Sequence, residues 1–184
     1  MRTIRSLVIG TAALLAAGLT TVPASAASSG PTTTTFQVQG GTLDITTPAS
    51  AAIGQGPPGG TISGQLGNVL VADGRALADA SWTASVISTD FTSGAGGSGL
   101  TIPATDVSYW SGPVTSSSGN GVFTPGQPAS GNAAPLNNTT PLTALTHAGG
   151  TGNNTATWTP SLNVHVPQAN ESGTYTGTVT HSVA

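Results

Sequence analysis

The side chains that could carry acid, base or nucleophile chemistry are few in this chain. It has five Asp, one Glu and three His, and it has neither Cys nor Lys. Catalysis needs such groups in a positioned set. Ser is abundant, but no Gly-x-Ser-x-Gly nucleophile elbow is present, and the glycines between 94 and 99 lack the Lys of a phosphate-binding loop. The sequence therefore predicts a protein that is not an enzyme.

Metal ligands are equally sparse. No two of His147, His165 and His181 show the close spacing of a zinc site, and Cys is absent. Calcium is the better alternative for an exported acidic protein, but no Asp-x-Asp-x-Asp loop occurs. We expect neither a metal nor another cofactor.

Three tryptophans are the remaining candidates, because an indole face can stack on a carbohydrate ring. Trp82 alternates with Ala84 and Val86, and Trp158 lies in a similar alternating stretch, so the pattern favours the core for both. Trp110 differs, since it follows Tyr109 and precedes a stretch rich in Gly and Ser. We predict that Trp110 is an exposed contact residue.

The N-terminus has the pattern of an export signal. Arg2 and Arg5 precede an apolar run from 7 to 19, which is followed by the small residues Ala24, Ser25 and Ala26. These features predict a Sec-type signal peptide over residues 1–26, too short in its apolar run to span a bilayer. An uncleaved N-terminal anchor is the alternative. The last strand-like pattern reaches Val183, so we also expect no C-terminal anchor and a secreted mature chain without a membrane span.

The charge of the predicted mature chain excludes some partners. Arg75 is its one basic residue against five Asp and one Glu. Binding to a phosphate backbone needs clustered Lys and Arg, so nucleic acid and anionic membranes are disfavoured. Without Cys, the fold must be held by core packing and sheet hydrogen bonds rather than by disulfides.

Short apolar stretches separated by Gly- and Pro-rich turns organise the rest of the chain. Residues 27–35 are predicted to be a flexible leader, and 36–184 one domain. No helical apolar stripe is present outside the signal, so the pattern predicts an all-β, single-domain antiparallel β-sandwich, immunoglobulin-like or of a related Greek-key arrangement. Residues 111–140 are low in complexity and are predicted to form a mobile loop. The strand-like stretches are 36–38, 42–45, 67–72, 81–87, 100–102, 107–110, 142–146, 157–166 and 174–183.

The last two of these stretches suggest a closing β-hairpin. Both alternate apolar and polar residues, and the residues between them are typical of a turn. Within the turn, the stretch from Glu171 to Tyr175 resembles the tyrosine corner of immunoglobulin-like sandwiches. That resemblance implies a hydrogen bond from the Tyr175 hydroxyl to nearby backbone.

Three segments together resemble the WxL-domain cell-surface proteins of Gram-positive bacteria. Residues 67–77, Gly-Asn-Val-Leu-Val-Ala-Asp-Gly-Arg-Ala-Leu, followed by 81–86 and by Thr89, Asp90 and Phe91, resemble the first signature. Residues 160–167 and 172–180 resemble the second, and 40–45 resemble the opening strand. The first motif would then have Ala84 two residues after Trp82, in place of Leu. The second would have His181 and Val183 in place of Trp and Leu.

This resemblance implies an exported β-rich domain that attaches non-covalently to the cell wall, with peptidoglycan as ligand. The candidate ligand-binding residues are Trp82, Trp110, Trp158 and His181. We therefore predict a secreted, non-catalytic surface protein whose partners are peptidoglycan or other surface proteins. A carbohydrate-binding module is one alternative. Another is a structural subunit of a surface fibre or pellicle, paired through the Thr-rich stretch 174–180. A hydrolase would require His147 or His165 beside both a Ser and an Asp.

Overall fold

The computed structural model describes residues 28–184, so the predicted signal peptide lies outside the described residues. Residues 28–42 contain no regular secondary structure, and residues Val38–Ala184 form a compact unit. Two short 3-10 turns, Ala104–Asp106 and Ser130–Asn132, are the helical elements of this unit. The strands are β1 Leu43–Thr46, β2 Thr61–Gln65, β3 Val69–Leu77, β4 Trp82–Ser88, β5 Phe91–Thr92, β6 Thr101–Ile102, β7 Val107–Trp110, β8 Val114–Ser118, β9 Val122–Pro125, β10 Ala134–Pro135, β11 Leu142–Ala148, β12 Gly152–Trp158, β13 Ser161–His165 and β14 Val179–Val183.

The strands form three four-stranded sheets and one small ribbon. Sheet A has the order β1-β3-β12-β8, sheet B the order β10-β7-β13-β2, and sheet C the order β14-β4-β11-β9, while β5 pairs with β6. Every one of these pairs is antiparallel. The predicted all-β, sandwich-like class is therefore confirmed, although the strands divide among more sheets than the two of a simple sandwich. Within residues 28–184, no helix is long and apolar enough to cross a membrane.

Alternation along the central strands builds the core. In β4, Trp82, Ala84 and Val86 are buried while the residue after each of the first two is less so, and β3 buries Val69 and Val71 in the same way. Successive side chains of a strand point to opposite faces, so each strand supplies one apolar row. Strands of sheets A, B and C contribute to a single buried cluster. The chain thus has a continuous core without disulfides.

The predicted closing hairpin is wrong, because its strands belong to three different sheets. Trp158 ends β12, which pairs with β3 and β8 in sheet A. After Pro160, β13 pairs with β2 and β7 in sheet B, and β14 pairs with β4 in sheet C. Proline has no N–H to donate to a ladder, so the chain leaves sheet A at this point. Alternation identified the strands but carried no information about their partners.

The prediction of one long loop over 111–140 is also wrong. Three short strands, β8, β9 and β10, lie in this range, and Leu136 is buried. All three are edge strands, which join a sheet through backbone hydrogen bonds and need few apolar side chains. The opposite error occurs at 36–38, where the sequence suggests a strand. There Phe36 and Val38 are exposed and no strand forms.

Candidate functional site

Trp82 is fixed in the core by a chain of polar groups. Its Nε1 donates to Oδ1 of Asn154 at 2.8 Å, and Nδ2 of Asn154 donates to Oδ2 of Asp73 at 3.2 Å. Asp73 in turn accepts two hydrogen bonds from the Arg75 guanidinium, each 2.9 Å long, and one from the Arg75 backbone N–H at 3.0 Å. The buried polar groups of β3, β4 and β12 thereby satisfy one another. This arrangement holds the Trp82 indole between sheets and leaves it no free face for a ligand.

The electrostatics of the Asp73–Arg75 pair follow from its geometry. The guanidinium of Arg75 donates to both carboxylate oxygens and lowers the pKa of Asp73, despite the opposing effect of burial. The same hydrogen bonds raise the pKa of Arg75. A second hydrogen-bonded acid lies nearby, where Ser81 lowers the pKa of Asp79. Both members of the Asp73–Arg75 pair are charged at neutral pH, and their opposite charges compensate each other.

His147 holds the neighbouring part of sheet C. It is buried, with Nδ1 at 2.8 Å from the Ala80 carbonyl oxygen and Nε2 at 3.0 Å from that of Asn120. Carbonyl oxygens only accept, so each ring nitrogen can bond to its carbonyl only as a donor. The ring stacks on Phe123, with centroids 4.4 Å apart. Both ring nitrogens are therefore used by the backbone, and neither contacts a Ser or Asp side chain.

A second polar chain joins all three large sheets. Trp158 of β12 donates from Nε1 to the Tyr109 hydroxyl at 3.2 Å, and that hydroxyl lies 3.1 Å from Nε2 of His181. Tyr109 belongs to β7 and His181 to β14. Among the described residues, Nε2 of His181 is the one hydrogen-bond acceptor beside the Tyr109 hydroxyl, so the phenolic hydrogen is satisfied when Nε2 accepts it. That pattern corresponds to a neutral His181 ring protonated on Nδ1.

Burial shifts the pKa of both titratable residues in this hydrogen-bonded set. It lowers the pKa of His181 from 6.5 to about 4, and it raises the pKa of Tyr109. Both shifts favour the uncharged forms that the hydrogen-bond pattern requires. His181 is thus neutral at physiological pH and half-buried.

His181 also lines a cavity of about 180 Å³ between residues 47–51 and 177–179. This cavity adjoins a larger one of about 790 Å³, bounded by residues 51–58 and 171–177, and the two have Ala51, Ile53, Phe91 and Gly177 in common. We call the two together the apolar groove. Glu171 is the one acid among its lining residues. The apolar side chains of the larger part are Ile53, Ile62, Phe91, Ile102, Val164 and Val166.

One wall of the apolar groove is fixed by Tyr175. Its hydroxyl lies 2.8 Å from the Glu171 carbonyl oxygen and 2.8 Å from that of Gly99, and it accepts a hydrogen bond from Nδ2 of Asn170 at 3.2 Å. The predicted bond from the Tyr175 hydroxyl to nearby backbone is confirmed. It anchors residues 171–175, which otherwise have no strand pairing.

The four candidate residues of the sequence are thus in different environments. Trp82 and Trp158 are core residues, and Trp158 and His181 meet through Tyr109. Trp110 is half-buried at the end of β7 rather than fully exposed, and it does not line the apolar groove. Sequence reasoning missed Asn154, and it missed the position of Phe91 in the groove. Neither has a local signal, since both act through contacts with residues distant in sequence.

No protein-family model matches the chain, and no curated protein matches it. The resemblance to WxL domains therefore stays a prediction that rests on the segments quoted above.

Proposed function

We propose that this protein is an exported, non-catalytic surface protein that associates non-covalently with the cell surface through its apolar groove. The observation that carries the proposal is the groove itself. It offers a large, mostly apolar lining with one acid, and its wall is held in place by Tyr175. Concave apolar sites of this kind are the usual binding sites of proteins.

A protein partner suits this groove better than a glycan. Recognition of a sugar ring by stacking needs an exposed indole or phenol face, but Trp82 and Trp158 are enclosed by the core and Trp110 lies outside the groove. Tyr175 is the one Trp or Tyr in the groove lining, and it is half-buried with its hydroxyl beside backbone carbonyl oxygens. Apolar lining residues bind the apolar side chains of another protein more favourably than the hydroxyls of a polysaccharide. Among the predicted partners, other surface proteins are therefore favoured over peptidoglycan and over the ligand of a carbohydrate-binding module.

Sedimentation with three surfaces tests the proposal. The mature protein is mixed with intact cells, with protease-treated cells, and with purified cell walls free of protein. We expect it to sediment with intact cells and to stay in solution with the other two. Sedimentation with purified walls would instead favour peptidoglycan, and a protein that stays in the supernatant in all three cases would contradict the proposal.

A pair of variants connects retention to the groove. Ala51 is exposed and lines both parts of the groove, whereas Ala129 is exposed in the turn after β9 and lines neither. Ala51→Arg introduces a long charged side chain at the rim and is expected to abolish retention on intact cells. Ala129→Arg adds the same charge elsewhere and is expected to leave it unchanged.

A subunit of a surface fibre is the second candidate function. The observation in its favour is that β14 is an edge strand, paired on one side with β4. Unpaired strand edges are templates for pairing with another chain. From the sequence, the stretch 174–180 is expected to provide this edge. However, β14 begins at Val179, so residues 174–178 lie outside the strand.

A further inference from the structure

Residues 34–39 have the pattern of a strand but no partner. Phe36 and Val38 are 87% and 77% exposed, more than any other large hydrophobic residue of the described chain. They alternate with Gln37 and Gln39, the period of two that places apolar side chains on one face of a strand. Burial of these two exposed apolar side chains against another surface would be favourable. The segment is therefore suited to pairing with an edge elsewhere.

The edge strand β14 offers unpaired backbone groups. Ala184 and Thr83 exchange hydrogen bonds of 2.8 and 3.1 Å across β14 and β4. Alternate residues of an antiparallel strand direct their backbone groups to opposite sides. The N–H and C=O groups of Val183, His181 and Val179 therefore point away from β4. Within residues 28–184, β14 has β4 as its only strand partner.

The apolar groove lies beside this edge. Val179 and His181 line its smaller part, and Thr178 and Gly177 continue along its wall. Side chains two residues apart on a strand are roughly 7 Å apart. A strand added here can place one apolar side chain in the smaller part of the groove and the next in the larger part. Residues 32–39 carry no charge, so they bring no ionic group into this apolar site.

We propose that residues 34–39 of one copy add as a strand to the free edge of β14 in a second copy, with Phe36 and Val38 in its apolar groove. Backbone hydrogen bonds would supply affinity and the two side chains specificity, as in other cases of strand addition. This inference rests on the second candidate function, a subunit of a surface fibre, and it specifies which surfaces form the contact between subunits. Each copy has one donor segment and one acceptor groove, so the contact repeats head to tail and gives an open chain or a closed ring.

The donor side is tested with two double variants of the mature protein. Phe36→Asp/Val38→Asp places charge on the apolar face, and Gln37→Asp/Gln39→Asp places the same charge on the opposite face. All four residues are exposed and outside any strand, so both variants should fold as the parent does. By light scattering, we expect oligomers that grow with concentration for the parent and the Gln variant, and a monomer for the Phe/Val variant.

The acceptor side is tested by cross-linking, because the chain has no Cys. A Gln37→Cys copy is mixed with a Thr178→Cys copy under mild oxidation, and Ala129→Cys replaces Thr178→Cys in the control. Gln37 alternates with Phe36 and Val38 as Thr178 alternates with Val179, so in the proposed pairing both thiols lie on one face of the sheet and both apolar side chains are kept. We expect the mixed disulfide at the groove to form at least about tenfold faster than the control, because strand pairing raises the effective concentration of the two thiols.

Three results would overturn the inference. These are a parent protein that stays monomeric at high concentration, assembly that survives Phe36→Asp/Val38→Asp, and equal cross-linking at 178 and 129. A monomer whose Phe36 is protected from solvent would show insertion into its own groove and would also overturn it. Retention on cells is measured separately, so loss of retention with assembly intact contradicts only the cell-surface function proposed above.

Discussion

Tyr109 and His181 are 72 positions apart in the sequence, and one hydrogen bond of 3.1 Å joins the Tyr109 hydroxyl to Nε2 of His181. It connects sheet B to sheet C, and the bond from Trp158 to the same hydroxyl adds sheet A. His181 therefore lies where three sheets meet.

The titration of His181 predicts a stability that depends on pH. In the unfolded chain this ring takes up a proton below about pH 6.5, but in the folded protein only near 4. Acid therefore favours the unfolded state, and the unfolding free energy should fall as pH drops from about 6.5 to 4, by at most about 1.4 kcal/mol per pH unit.

Urea denaturation of the parent and of His181→Phe across this range measures the effect. The variant lacks the titrating group, so its curve should be flatter between pH 4 and 6.5. His181→Trp, which places a larger ring without a titrating group beside the 180 Å³ cavity, should lose the same slope. Equal slopes in all three proteins would contradict the pKa shift.

Removal of the Tyr109 hydroxyl should destabilise the protein more than removal of the Tyr175 hydroxyl. Tyr109→Phe leaves Nε1 of the buried Trp158 without an acceptor, at a cost of about 1–3 kcal/mol. Tyr175→Phe also loses hydrogen bonds, but that site is half-buried and water can replace them. Chemical denaturation of both variants gives the comparison. Equal losses of unfolding free energy would show that the buried hydrogen bond from Trp158 to Tyr109 has no special role.

Asp73→Asn should weaken the network that holds Trp82. The substitution removes the charge that Arg75 faces, and we expect a loss of about 1–3 kcal/mol at neutral pH. The pKa of Asp73 is lowered on folding, so its contribution is complete above the unfolded value of about 3.8 and is lost as pH falls below it. The variant should lack this acid-dependent loss.

Asp44→Asn is the matched control for that experiment, since Asp44 is exposed on the edge strand β1. Its stability at neutral pH should stay near that of the parent. A shift in tryptophan fluorescence for Asp73→Asn but not for Asp44→Asn would connect the loss to the environment of Trp82.

Gly121→Ala should be strongly destabilising. Gly121 has a φ of +103°, and a Cβ there would overlap Nε2 of His147. The conformation and the overlap together should remove about 1–3 kcal/mol or more. Gly131→Ala is the control, because a Cβ at 131 meets nothing within 4 Å. Thermal unfolding of the two variants measures the difference, and similar melting temperatures would exclude a tight fit around His147.

The sequence predicts individual strands better than their partners. The alternation of Trp82, Ala84 and Val86 correctly indicates a buried row, because burial depends on the local period of two. The hairpin prediction fails because Pro160 moves the chain to another sheet, and pairing between distant strands is not written in local alternation. Edge strand β8 was missed for a related reason, since its Ser-rich residues are held by the backbone.

The same limit applies to the candidate site. The resemblance of residues 171–175 to a tyrosine corner correctly predicted the bond from the Tyr175 hydroxyl to the backbone. The role of His181 could not be predicted, because it depends on Tyr109 and Trp158, which approach it from other sheets. The groove likewise combines residues from distant parts of the chain, each ordinary in its own segment.

The pairing of Arg75 with Asp73 has a consequence for how copies of this protein meet. Arg75 is the one Arg or Lys in residues 28–184, and its charge is compensated within its own fold. The remaining carboxylates have no positive Arg or Lys side chain to attract on an approaching copy, so two copies repel weakly at long range. Dissolved salt screens that repulsion over about 10 Å at 0.1 M. Any contact between copies should therefore strengthen, rather than weaken, as ionic strength rises.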